Sequence, residues 1–293
     1  MRERCSARVP FPCRTLLFGI AMVFVAGPAL AQSKPRVWIA SGQTGGTYRT
    51  IYANNLEKRL RSFDVYHRKT SGSGENLELL AGGKADIAFV QADVFAARSK
   101  ADPERFGSLR VLGKLGDECI FIAHRKKGPP QNMDDLTRPI EGREPRIAIG
   151  LREGGMASSW DYLVSLDPGL AAAKKVFDGD VLALNQLAVG EFHAVAWVSD
   201  PSNFKHVLLR AVGGNPDLQL MDLTSSELSA TLPDGTSVYT RRKVKAVDKW
   251  NARKVSTLCT TALVMAPAAA NEELVARVAD LIAVDRELLV PKR

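Results

Sequence analysis

Cysteine is scarce in this chain: four in 293 residues, with Cys5 and Cys13 crowded near the start. That count excludes a disulfide-built scaffold. Cys119 and Cys259 remain, and they can either pair in an oxidising compartment or stay as two buried thiols. Histidine is as thin. His67, His124, His193 and His206 are scattered, with no H-E-x-x-H and no Cys/His pair at zinc spacing, so no metal centre is indicated. No Lys-Ser/Thr follows a glycine turn as in a P-loop, and neither G-x-G-x-x-G nor G-x-S-x-G occurs. Ser202-Asn203-Phe204-Lys205 fits S-x-x-K, but its S-D-N and K-T-G partners are missing. Nothing sets a base beside a nucleophile, so no catalytic residue and no cofactor is assigned, and the chain reads as a non-enzyme. Low-complexity tracts and long like-charge runs are absent, which excludes extended disorder. No basic stripe with interleaved aromatics is present, which argues against nucleic acid as a partner.

What is present begins with an export signal over residues 1–31. Arg2, Arg4, Arg8 and Arg14 are its positive region, Leu16 to Val25 its apolar core, and Ala29-Leu30-Ala31 its cleavage site. The apolar run is short and is followed by Pro28, whereas a membrane span needs ~20 residues. Without these residues four Arg and one Glu are lost, leaving 36 basic against 31 acidic side chains, a net charge of +5. That mild surplus is compatible with an anionic small ligand. The apolar share of 45% and the length suit two modest α/β domains.

The organising stretch is Ser41-Gly42-Gln43-Thr44-Gly45-Gly46-Thr47-Tyr48. It follows an apolar strand, Arg36 to Ala40, and opens a helix from Thr47 to about Ser62, with Tyr48, Ile51, Tyr52, Leu56 and Leu60 on one face. Such a turn leaves backbone N–H groups free at a helix N-terminus, where the macrodipole favours negative charge. A tight strand-to-helix turn without a ligand would look the same. The pattern returns, however: 109 residues on, Gly45 and Gly46 land on Gly154 and Gly155, again between an apolar strand and a helix. At an offset of 107, Leu77, Leu80, Ala81, Gly83 and Asp93 meet Leu184, Leu187, Ala188, Gly190 and Asp200. Two halves with one grammar predict two α/β lobes, whose strand ends would face each other across one cleft.

Between these landmarks, Ser71-Gly72-Ser73-Gly74 leads into a helix from Glu75 to Ala81, with Ser73 as its natural N-cap. Gln91 closes a buried strand where a polar side chain would face the cleft. Strands are expected over Leu109–Leu115, Cys119–His124 and Ser256–Met265, a breaker at Gly128-Pro129-Pro130, and a helix from Pro201 to about Val212 behind an Asp200 cap. Asn271 to Leu288 reads as an amphipathic helix. Arg152 is the only basic residue inside the four turns, where it is either a solvated loop arginine or a clamp for a ligand carboxylate.

Taken together, Val37–Tyr48, Gly72–Leu80, Gly83–Asp93, Gly190–Pro201 and Val255–Pro267 resemble the TAXI-type solute receptors of TRAP transporters. Gly45 to Tyr48 meets the G-G-T-Y end of the family's G-[ST]-x-x-G-G-T-Y, with Ser41 and Gly42 at its first two places, Gly72 to Leu77 meets its G-[GS]-S-x-x-N-[LI] with Ser71 in place of the first Gly, and Gly83 to Asp93 meets its G-x-[AV]-D-[LI]-A-[LF]-V-Q-[SA]-D. The second lobe departs from the pattern at Gly154-Gly155-Met156 and at Asp200. The resemblance implies a two-lobed periplasmic-binding-protein fold, with lobe 1 over 32–125 and 254–293 and lobe 2 over 126–253. It implies a periplasmic receptor that closes on a small organic anion and hands it to the membrane permease subunits of a TRAP transporter. It implies ligand contacts at Thr44, Gly46, Thr47, Tyr48, Ser73, Asn76 and Gln91, to which the second half adds Arg152, Ser158 and Trp197 as candidates. It also brings the strands of Cys119 and Cys259 together at the hinge, where they are expected to pair. A stand-alone or sensory receptor of the same fold is the second reading, and a secreted hydrolase the third.

Overall fold

The computed structural model describes residues 33–225, 228, 237–246 and 252–290, so the expected export signal lies outside the described residues. Strands occupy the buried apolar runs. β1 (Arg36–Ala40), β2 (Asp64–Arg68) and β3 (Ile87–Gln91) lie parallel in the order β2-β1-β3. β5 (Arg146–Ala148), β6 (Lys174–Val176) and β7 (Ala194–Ser199) repeat that arrangement as β6-β5-β7. Registers repeat as well. Ile39 and Ala40 pair with Ile87 and Ala88, and Ile147 and Ala148 pair with Ala194 and Val195. The sequence echo is therefore an echo in the hydrogen-bond ladder.

Two long antiparallel strands join the triplets: β4 (Arg110–Arg125) runs beside β7, β10 (Lys254–Ala266) beside β3, and each beside the other. Short strands β8 (Leu218–Leu220) and β9 (Thr240–Lys245) flank β4 and β10. Where two strands were expected, β4 passes unbroken through Gly116-Asp117-Glu118. Thr261 and Thr260 pair with Asp117 and Glu118, and that ladder overrides the poor strand propensity of glycine and acids. A register shift between Thr261 and Leu263 absorbs the irregularity. Cys119 pairs directly with Cys259 in the same ladder, with 3.9 Å between Cα atoms, and the two form a disulfide.

The first helix is a π-helical turn, Tyr48–Ala53, running into α1 (Asn54–Glu57), shorter than its apolar spacing predicts. Then come α2 (Ser73–Ala81), α3 (Ala92–Ala101), α4 (Pro103–Phe106), α5 (Gly155–Leu166), α6 (Val181–Ala188), α7 (Val207–Gly214) and α8 (Glu272–Asp285). The helix expected from Pro201 begins instead at Val207. Asp200 accepts the Ser202 N–H at 2.7 Å, which closes a turn rather than capping a helix. Strand alternation divides the core cleanly. Ile87 and Phe89 pack with Tyr52 and α8, while Ala88 and Val90 pack with Leu77 and Leu80. In β7, Ala194 and Ala196 meet Trp160 of α5, while Val195 and Trp197 meet Leu184 and Leu208. Among the described residues no helix is long and apolar enough to cross a membrane.

Candidate functional site

Parallel strands deliver their carboxyl ends to one edge of a sheet, and the helices that follow start there. In this chain both triplets turn that edge toward one cleft of about 830 Å³. Its wall holds the starts of five helices: Thr47 and Tyr48, Ser73 of α2, Gly155 and Met156 of α5, Val181 of α6, and Val207 and Leu208 of α7. N–H groups in a first turn have no partner within their helix, and five macrodipoles add a positive potential over the same space.

A chain of side-chain bonds positions the first glycine turn. The Gly42 N–H donates to Thr70 Oγ1 at 3.0 Å, Thr70 donates to Asn76 Oδ1 at 2.5 Å, and Asn76 Nδ2 donates to the Phe89 carbonyl at 2.7 Å. Asn76 is fully buried and lies behind the wall rather than in it. Ser73 likewise departs from its expected capping role. Gly72 is the N-cap of α2, and Ser73 Oγ accepts the Gln91 N–H at 3.1 Å and donates to Gln91 Oε1 at 3.3 Å. Gln91 Nε2 then donates to Ser159 Oγ at 3.0 Å, joining β3 to α5.

Further bonds join residues of the two halves. Thr47 Oγ1 accepts from Asn203 Nδ2 at 3.0 Å and lies 3.3 Å from Ser199 Oγ, while Tyr52 donates to Asp200 at 3.0 Å. The Glu75 N–H donates to the Glu153 carbonyl at 3.3 Å. Asp93, fully buried, accepts from Ser159 Oγ at 2.6 Å and Tyr239 Oη at 2.7 Å, and burial still raises its carboxyl above the usual range. These contacts need glycine. A Cβ on Gly155 would stand 1.7 Å from Gln91 Oε1, and one on Gly72, at φ +138°, would stand 2.9 Å from the Gly155 nitrogen.

Of the residues singled out from sequence, Thr44, Gly46, Thr47, Tyr48, Ser73, Gln91 and Trp197 line the cleft together. Asn76, Arg152 and Ser158 do not. The Arg152 guanidinium lies 4.0 Å above the ring of Phe177, which itself lines the cleft, and Ser158 sits one turn along α5. Sequence reasoning missed Glu118 and His206, which also line it. Glu118 fell in a stretch that read as a connector, and its signal was an acid immediately before an apolar strand. His206 stacks on Trp197 with ring centroids 6.2 Å apart, and burial pulls its pKa down to about 4. Tyr48 Oη, Glu118 Oε1, Trp197 Nε1 and His206 Nδ1 are all buried without a hydrogen-bond partner among the described residues.

No protein-family model matches the chain, and no curated protein matches it in sequence. Solved structures do match. A putative L-cystine ABC transporter protein from Listeria monocytogenes is 12% identical with a TM-score of 0.53, over 87% of this chain and 92% of that one. The amino acid ABC transporter substrate-binding protein AbpA from Streptococcus pneumoniae, bound to L-arginine, is 14% identical with a TM-score of 0.50, over 87% and 91%. The AvGluR1 ligand-binding domain in complex with phenylalanine is 16% identical with a TM-score of 0.51, over 89% and 97%. At such identities the likeness is one of fold: this chain has the two-lobed periplasmic-binding-protein fold.

Proposed function

We propose that this protein is an exported solute receptor that closes its lobes on a small organic acid or amino acid and delivers it to a TRAP-type membrane permease. The observation that carries the reading is the convergence of five helix N-termini from both halves on one cleft. Such a wall holds a carboxylate through backbone N–H groups without a basic side chain. Its volume suits a small molecule. The lobes are residues 32–125 with 254–293, and 126–253, joined through β4 and β10. Thr44, Gly46, Thr47, Tyr48, Ser73 and Gln91 are the ligand-facing residues of the first lobe, and Trp197 of the second. Two of the similar structures hold an amino acid, which fits this ligand class. The TRAP permease as recipient rests on the resemblance of Gly42–Tyr48, Gly72–Leu77 and Gly83–Asp93 to TAXI receptors, and each of these segments supplies cleft wall.

Mass spectrometry of solute co-purifying with the protein, followed by thermal melting with amino acids and small carboxylates, tests the reading. A ligand at about a thousand times its Kd should stabilise the fold by about 4 kcal/mol. Turnover of a stabilising compound would move the protein to the hydrolases, and a melting point unmoved by every compound would end the receptor reading. Export is checked by intact mass, which should begin at Gln32.

A further inference from the structure

The floor of the cleft holds a carboxylate that none of the glycine turns uses. Glu118 is 3% exposed, in the stretch of β4 just before the strand takes up β7 as a neighbour. Three other acids lie around it, and each has donors of its own. Asp117 on the same strand is paired with Arg242 at 2.9 Å. Asp200, following β7, accepts from Tyr52 Oη and the Ser202 N–H. Asp93, at the start of α3, accepts from Ser159, Tyr239 and the Val94 N–H. Glu118 Oε1 has no hydrogen-bond partner among the described residues. Among the described residues Lys69 is the one lysine or arginine lining the cleft, and it is exposed.

A carboxyl group buried among acids, with an oxygen that no described donor reaches, either keeps its proton or takes a cationic partner. The cleft is the side from which such a partner can come. Resting on the receptor reading above, we propose that Glu118 receives a protonated amine. The ligand is then an amino acid or a similar zwitterion rather than a simple organic acid. Its carboxylate lies at the helix N-termini and its ammonium on Glu118, with Tyr48 Oη close by as a second acceptor. The wall carries both signs to match: N-terminal dipoles for the anion, and a floor acid for the cation.

Binding is then coupled to a proton. Burial, followed by the fields of Asp200, Asp93 and Asp117, pushes the Glu118 carboxyl well up. The other titratable groups facing it are Tyr48 and Tyr52 from the first helix, both pushed up by burial and then by Glu118 itself. His206 across the cleft is neutral near pH 7, and Lys69 is also in the wall. Burial and the neighbouring acids favour the protonated Glu118 before binding, and an arriving ammonium favours the charged form and displaces the proton. Affinity for a zwitterion therefore rises with pH across the interval between the bound and free pKa values.

The test uses purified protein dialysed free of solute and titrated calorimetrically with each L-amino acid and with its 2-hydroxy-acid counterpart. The expected result is an amino acid that binds about a hundredfold more tightly than the hydroxy acid, which cannot form the charge-assisted pair with Glu118. Repeating the titration in two buffers of different ionisation enthalpy should show proton release of up to one per site. Glu118→Gln should remove both the preference and the release. The wild-type measurements decide the matter alone if that variant fails to fold. Equal binding of amino acid and hydroxy acid, or proton uptake on binding, overturns the role of Glu118 and leaves the receptor reading intact. Absence of saturable binding by every compound overturns both.

Discussion

Gly155 shows how narrowly single residues set this site. Its missing side chain is what lets Gln91 cross from β3 to Ser159, since a Cβ would fall 1.7 Å from Gln91 Oε1. Gly155→Ala should therefore displace Gln91 and weaken closure, costing about 1–3 kcal/mol of ligand binding, the usual range for forcing an atom into a packed site. Calorimetry with whichever compound stabilises the wild type checks this, and an unchanged affinity would show that the Gln91 contact is dispensable. The glycine itself was legible, because it repeats Gly46 at the offset of 109. Its reason was not legible: the atom it avoids lies 64 residues away in sequence, and only folding brings Gln91 there. Arg152 shows the reverse. Its charge and position suited a carboxylate clamp, but the Phe177 ring offers the guanidinium a face at 4.0 Å, and that contact is invisible in a linear motif.

At the scale of elements, local signals placed strands and helices well wherever a short apolar period is bounded by its own turn residues. β1, β3, α5 and α8 fall close to where periodicity put them. Elements whose boundaries depend on a distant partner were less legible. β4 runs through Gly116-Asp117-Glu118 because β10 hydrogen-bonds it, and α7 starts late because Asn203 is tied to Thr47. Asn76 belongs to this scale. As a motif residue it looked like a ligand contact, but it is fully buried, bridging Thr70 and the Phe89 carbonyl so that α2, β3 and the first turn hold together. Asn76→Ala should lower stability by about 1–3 kcal/mol, the cost of stranding a buried polar group. Urea unfolding measures it. Full stability with lost ligand affinity would return Asn76 to the binding set.

At the scale of the molecule, two properties bear on how the whole chain holds together. The Cys119–Cys259 bridge ties β4 to β10 where both pass between the halves, closing a loop across 140 residues of sequence. Protein lacking residues 1–31 should show no free thiol when unfolded without reductant, and reduction should cost about 2–5 kcal/mol of stability. Two titratable thiols would refute the bridge. His206 makes stability pH-dependent. Its pKa falls from 6.5 to about 4 on folding, so the unfolded chain binds the extra proton. Its contribution is complete above pH 6.5 and is lost as pH falls toward 4. Asp93, Asp200 and Glu118, whose carboxyls burial raises, act in the opposite sense. The urea midpoint should therefore drop more between pH 7 and 4.5 in the wild type than in His206→Gln, and equal drops would dismiss the effect. The sequence by itself determined the repeated strand–turn–helix grammar, hence two halves facing one cleft, because hydrophobic period and turn glycines act over a few residues. The tertiary structure alone decided which polar residues face that cleft and which are braces. That choice depends on partners supplied by the other half: Ser159 for Gln91, Asn203 for Thr47, and, among the described residues, none for Glu118 Oε1.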